Sequence, residues 1–221
     1  MHLYQKKPRN KHIAGLVCLA ILDIYCSTAQ TQESAELTPL NANTPITYFI
    51  AEGSAGSHYR ETDRELAIWA LQAWERSANS KLHFIPGPES TALLRIYWAP
   101  ANFGQYGEMR SLVVDNQPGA AVFIRPDTDA LGEDIGQRAK NDSLFRDSVI
   151  YLTCLHEIGH ALGLSHSPNY TDVMYFFGFG GDIPEFFARY RNQLRSRSDI
   201  TAVTGLSEKD LVRLRALYAT E

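Results

Sequence analysis

An α+β fold is predicted for this chain by three observations. Short runs rich in β-branched and aromatic residues occur at residues 46–50, 81–85, 93–98 and 119–124. A helical apolar period separates the first two runs, and a long apolar stretch of helical length, 145–162, follows the last. A capped amphipathic segment from Ser207 closes the chain.

The elements follow in order. Residues 1–29 read as a secretory signal: Lys6, Lys7, Arg9 and Lys11 precede a mostly apolar stretch from Ile13 to Tyr25, and Ser27-Thr28-Ala29 is a small-residue cleavage site. The apolar stretch is too short for a stable membrane span and contains Asp23. Cys26 lacks the preceding small residues that lipoprotein processing prefers. Residues 30–44 are polar and read as a flexible lead-in, so one domain is expected over 45–221. Within it, 46–50 is the first strand, and Thr62-Asp63-Arg64-Glu65 is a capping box that starts a helix ending near Asn79. Leu66, Trp69, Ala70, Ala73 and Trp74 share one face of that helix, which therefore packs across a sheet. Strands at 81–85, 93–98 and 119–124 come next, and the acidic stretch 127–141 reads as a loop or short helix. The helix at 145–162 is expected to begin near Asp147 or Ser148, and the last helix runs through Leu211, Leu214 and Leu217.

The long helix carries the chemistry. Its end reads His156-Glu157-Ile158-Gly159-His160-Ala161-Leu162-Gly163-Leu164-Ser165-His166. Two histidines four apart project from one helical face about a turn apart, which suits two corners of a zinc tetrahedron. Gly163 can take the left-handed conformation that ends a helix, letting His166 swing back as a third ligand. Glu157 can reach a metal-bound water without ligating the metal. Five fixed positions, with glycine where the turn demands it, make the signal far sharper than a bare His-Glu-x-x-His, and they read as a one-zinc hydrolase site.

Composition bounds the rest. Without residues 1–29 the chain has 192 residues and a net charge of about −7, enough for one full core and no basis for nucleic-acid binding. Only Cys154 remains, so no internal disulfide is expected, and its place in an apolar run reads as packing. The sequons at Asn141 and Asn169 read as chance matches.

The histidine motif, together with Met174 in Asp172-Val173-Met174-Tyr175, resembles the metzincin clan of zinc endopeptidases, in which a Met-containing turn lies beneath the metal. Gly159, Ser167 after the third histidine and the Met-Tyr pair look most like matrixins, the matrix metalloproteinase family. The order of elements is similar to a matrixin catalytic domain over roughly residues 42–221. That resemblance implies a twisted mixed β-sheet with an N-terminal helix, an active-site helix, a Met-turn and a C-terminal helix.

It also implies a secreted or periplasmic monomer that hydrolyses protein or peptide substrates, with His156, His160 and His166 on the zinc and Glu157 as general base. Substrate would pair with an edge strand, for which Gly119, Ala120, Ala121 and Val122 are the candidates. The alternatives are a zinc hydrolase acting on a cell-wall or other non-protein substrate, and a non-catalytic zinc-containing binding domain. The chain departs from the family in several respects. His58 and His83 form no cluster for a second, structural zinc. Calcium would fall to Asp115, Asp127, Asp129, Glu133 and Asp134. No room exists for a pro-domain between Ala29 and Pro45, so the enzyme would be active once exported or restrained by a separate protein inhibitor. Phe176 stands where matrixins usually have proline.

Overall fold

The computed structural model describes residues 37–219. The signal-like segment, with Cys18 and Cys26, and the start of the lead-in lie outside the described residues. Five strands and five α-helices follow along the described chain: β1 (Ile46–Ile50), α1 (Asp63–Ser77), β2 (Phe84–Pro86), β3 (Leu94–Trp98), β4 (Gly107–Val114), β5 (Gln117–Ile124), α2 (Glu133–Asn141), α3 (Ser143–Ala161), α4 (Ile183–Arg191) and α5 (Glu208–Leu217).

The sheet order is β2-β1-β3-β5-β4. Its first four strands are parallel, and β4 returns antiparallel along β5 to form the edge. Asp115 and Asn116, both with positive φ, make the tight turn between β4 and β5, a backbone that suits a two-residue hairpin. Period-two alternation sends Ile50, Ile96, Val122 and Ile124 into the core. The opposite face carries a row of Phe49, Tyr97 and Phe123, capped by the Arg110 guanidinium 4.8 Å from the Phe123 ring. Cross-strand stacking of this kind stabilises a solvent-facing sheet surface.

Two expectations about the sheet are corrected. β4 is absent from the sequence-based reading because Gly-Glu-Met-Arg-Ser-Leu-Val-Val mixes polar and apolar residues without a period of two, and only its last residue is buried. The second correction follows from the first. Gly119, Ala120, Ala121 and Val122 lie on β5, which is paired on one side with β3 and on the other with β4. A strand hydrogen-bonded along both edges has no free ladder for a substrate, and the small side chains of Ala120 and Ala121 are buried instead.

The helices also differ in detail. α1 spans the expected residues, but Thr62 makes no side-chain cap and lies in a helical conformation. Asp63 replaces it, accepting from the Arg60 amide at 2.9 Å and pairing through both oxygens with Arg146 at 2.7 and 2.9 Å. That fully buried pair ties the start of α1 to the start of α3. α3 begins at Ser143, earlier than expected, because Asp142 caps it by accepting from the amides of Leu144 and Phe145. The acidic stretch 127–141 contains a short 3-10 turn and α2. At the other end of the domain, Leu40 of the polar lead-in is part of the core, and Pro39 lies against Gly163.

No helix among the described residues is long and apolar enough to cross a membrane.

Candidate metal centre

α3 is buried nearly all round, and its small polar residues satisfy themselves locally. Ser148 and Thr153 each donate to the carbonyl four residues earlier at 2.8 Å. The indole of Trp74 on α1 donates to Leu155 O at 2.9 Å, fixing the helix one residue before the first histidine. Gly163, with φ of 93°, then ends it. Leu164 N reaches back to Gly159 O and Gly163 N to His160 O, both at 2.9 Å, which is the paired-bond arrangement of a glycine-terminated helix.

The three histidines converge. Their ligand nitrogens lie within 4.8 Å of one another, and they are the one such group of three or more metal-binding side chains among the described residues. His160 Nε2 is 3.1 Å from His156 Nε2 and 3.2 Å from His166 Nε2. Zinc–nitrogen bonds of roughly 2.0–2.1 Å in a tetrahedron imply edges of about 3.3–3.4 Å, close to these separations.

Proton placement strengthens the fit. His156 Nδ1 donates to Val173 O and His160 Nδ1 to Leu164 O, each at 2.7 Å. A carbonyl can only accept, so in the neutral rings Nε2 carries the lone pair. Unprotonated Nε2 atoms facing each other at this distance repel unless a cation lies between them. Burial, and in smaller part the neighbouring histidines, pushes His156 down to about 3; burial, more than any neighbouring charge, pushes His160 down to about 4. His166 is lowered as well, mainly by burial. The rings are therefore neutral donors at ordinary pH, the state a metal requires.

Glu157 lies beside them, 7% exposed, and its carboxylate receives no hydrogen bond from the described residues. Burial, and in smaller part the charge of Glu108, raises its pKa to about 8. A largely buried carboxyl group beside three neutral imidazoles is a donor set suited to a divalent cation. Gly107, the first residue of β4, faces this carboxylate across a gap that a side chain would fill. A glycine in a strand signals close approach, and Gly107 is the sequence signal for this one.

The loop after α3 is anchored from below. Ser167 N donates to Met174 O at 2.7 Å, bringing the two ends of the turn together. Met174 is fully buried, with its sulfur against Gly159, where a methyl group would stand 2.4 Å from Sδ. Buried Asp172 accepts from Ser167, Asn169 and Ser207. Asp210 of α5 accepts from Val173 N at 2.8 Å and closes a capping box with Ser207. The last helix thus fixes the residue whose carbonyl orients His156. Sequence reasoning found the Ser207–Asp210 cap but not this second role.

The remaining singled-out residues lie elsewhere. His58 pairs with Asp127 at 3.3 Å and His83 with Glu75. Asp127 also meets Arg125, and Asp129 meets Lys140, so these two acidic side chains are engaged by cations. Cys154 is fully buried, with its thiol pKa raised by burial. Asn169, of the second sequon, is engaged within its own turn.

The family model for matrixin, peptidase family M10, matches residues 40–180. Two solved structures of myroilysin are similar to the chain at 18% identity. One has a TM-score of 0.36 and the match covers 78% of this chain and 73% of its own; the other, a crystal structure, has a TM-score of 0.38 with 85% and 87% covered. No curated protein matches the chain.

Proposed function

This chain belongs to the matrixin family of peptidases, and from that premise we propose that it is a secreted zinc-dependent endopeptidase acting through one metal and one carboxylate. The observation that carries this reading is the convergence of three histidine ligand nitrogens, two of them on Nε2 atoms left unprotonated by Nδ1–H bonds to carbonyls, next in sequence to the buried Glu157.

His156, His160 and His166 would hold the metal. The chemistry a bound zinc supplies is Lewis acidity, which polarises a scissile carbonyl and brings the pKa of water toward roughly 7. The protein's own groups do the rest. Glu157 accepts a proton from the attacking water on a carboxylate oxygen and returns it to the leaving amine nitrogen. The apolar surroundings that raise its pKa also strengthen every charge interaction at the reacting centre. Val173 O and Leu164 O keep two imidazoles in the tautomer that presents Nε2.

Substrate backbone pairs with β4, the edge strand whose first residue touches Glu157. Adding a strand there would lay an extended peptide next to the carboxylate, with main-chain hydrogen bonds giving affinity independent of sequence. Unfolded proteins and flexible segments are accordingly the expected substrates.

The test is cleavage of casein by purified residues 30–221, with and without a zinc chelator. Cleavage that the chelator abolishes and added zinc restores supports the proposal. Cleavage indifferent to chelation contradicts it.

A further inference from the structure

The three candidate ligands are held in two different ways. His156 and His160 each donate Nδ1–H to a backbone carbonyl. His166 has no such bond with any described residue; its one polar contact is Nε2 against His160. Its ring lies instead against Phe176, with centroids 4.6 Å apart and planes 24° from parallel.

Phe176 is 46% exposed, so burial alone does not account for where it sits. The local chain braces it. Gly178 leaves room for the ring, since a Cβ there would lie 2.0 Å from Cε1, and Phe179 meets it edge-on at 5.5 Å. Both residues belong to the 3-10 turn Phe177–Phe179 that directly follows.

We propose that Phe176 is the positioning residue for His166, substituting ring stacking for the hydrogen bond that orients the other two ligands. Stacked aromatic pairs hold a preferred offset geometry. A coordinated imidazole is electron-poor, so the negative face of a phenyl ring attracts it more than a free one, as it would a cation. His166 is also the ligand that follows the helix end, and so the one with most freedom to swing away. Losing an orienting partner of a metal ligand typically lowers metal affinity about 10- to 100-fold, and a single stack belongs at the low end of that effect.

The inference rests on the three histidines holding metal, and the experiment separates the two. Zinc affinity is measured by competition with a chromophoric chelator, and the visible absorption of the cobalt-substituted protein is recorded alongside. Phe176→Ala is expected to weaken zinc binding about 3- to 10-fold and to alter the cobalt spectrum. Phe176→Leu, which keeps apolar bulk but no ring face, should fall with it. Phe176→Tyr and Phe176→Trp should stay within about twofold of the parent. Gly178→Ala, which displaces the ring without removing it, should behave like Phe176→Ala. Metal-free Phe176→Ala should melt with the parent, since an exposed ring contributes little to the core. Parent affinity and spectrum in Phe176→Ala would overturn the role of Phe176 while leaving the metal site intact. A parent protein that binds no zinc would overturn the metal site itself.

Discussion

A methyl group in place of the Gly107 hydrogen would stand 2.4 Å from Oε1 of Glu157 and 2.9 Å from its Cδ. The edge strand β4 and helix α3 therefore approach most closely where Gly107 faces Glu157, and glycine is the residue that allows it. The φ of Gly107 lies outside the left-handed region, so the constraint is space and not backbone conformation.

Gly107→Ala should push the carboxylate out of place without disturbing the histidines. We expect kcat to fall about 10- to 100-fold, as for a misplacement of about 1 Å. Bound zinc should stay at the parent level. Steady-state kinetics with metal analysis checks this, and an alanine variant of parental kcat would show that the close approach is not required.

The shifted groups at the site predict how the stability of the metal-free protein depends on pH. Glu157 has its pKa raised to about 8, so its neutral form contributes stability that is fully present below its ordinary 4.5 and lost as pH rises through 8. His156 and His160 act in the opposite sense: lowered to about 3 and 4, they favour the fold above their ordinary 6.5 and cost stability as pH falls toward those values. Replacing Glu157 by Gln removes the first effect alone. In chelator, Glu157→Gln should gain on the parent by a few kcal/mol, to order of magnitude, between pH 5 and 9. Urea denaturation across that range measures the gap, and a gap that does not widen with pH would refute it.

Asp63 and Arg146 form a bidentate pair at 0% and 4% side-chain exposure, linking two helices far apart in sequence. Asp63→Ala leaves a buried guanidinium with only Asp147, 3.8 Å away, and the carbonyl of His58. Thermal or chemical denaturation should show a loss of about 3–5 kcal/mol. Replacing both partners by apolar residues should cost much less, because no uncompensated charge remains.

The histidine cluster is legible in the sequence because its spacing is dictated by geometry: helical period for His156 and His160, and a glycine turn for His166. The apolar strands and the span of α1 were legible for similar reasons. Strand order was not, since it is a property of packing between distant segments, and this is why Val122 and its neighbours on β5 read as an edge. β4 stayed hidden because an edge strand with both faces near water carries no hydrophobic alternation. Thr62 read as a cap because the capping pattern is local, whereas the residue that holds the helix start, Asp63, is chosen by Arg146, more than 80 residues away. α4 is short, and it is the packing of Phe186, Phe187 and Tyr190 into the core that reveals it. In the sequence Phe176 is only a departure from proline, and its contact with His166 exists only in three dimensions.

The most direct test of the account compares the parent and Glu157→Gln, measuring bound zinc per chain and casein turnover on the same preparations. The account predicts one zinc per chain in both and turnover lower by about 10²- to 10⁴-fold in the variant. Parental turnover in Glu157→Gln, or a parent that cleaves casein without bound zinc, would contradict it.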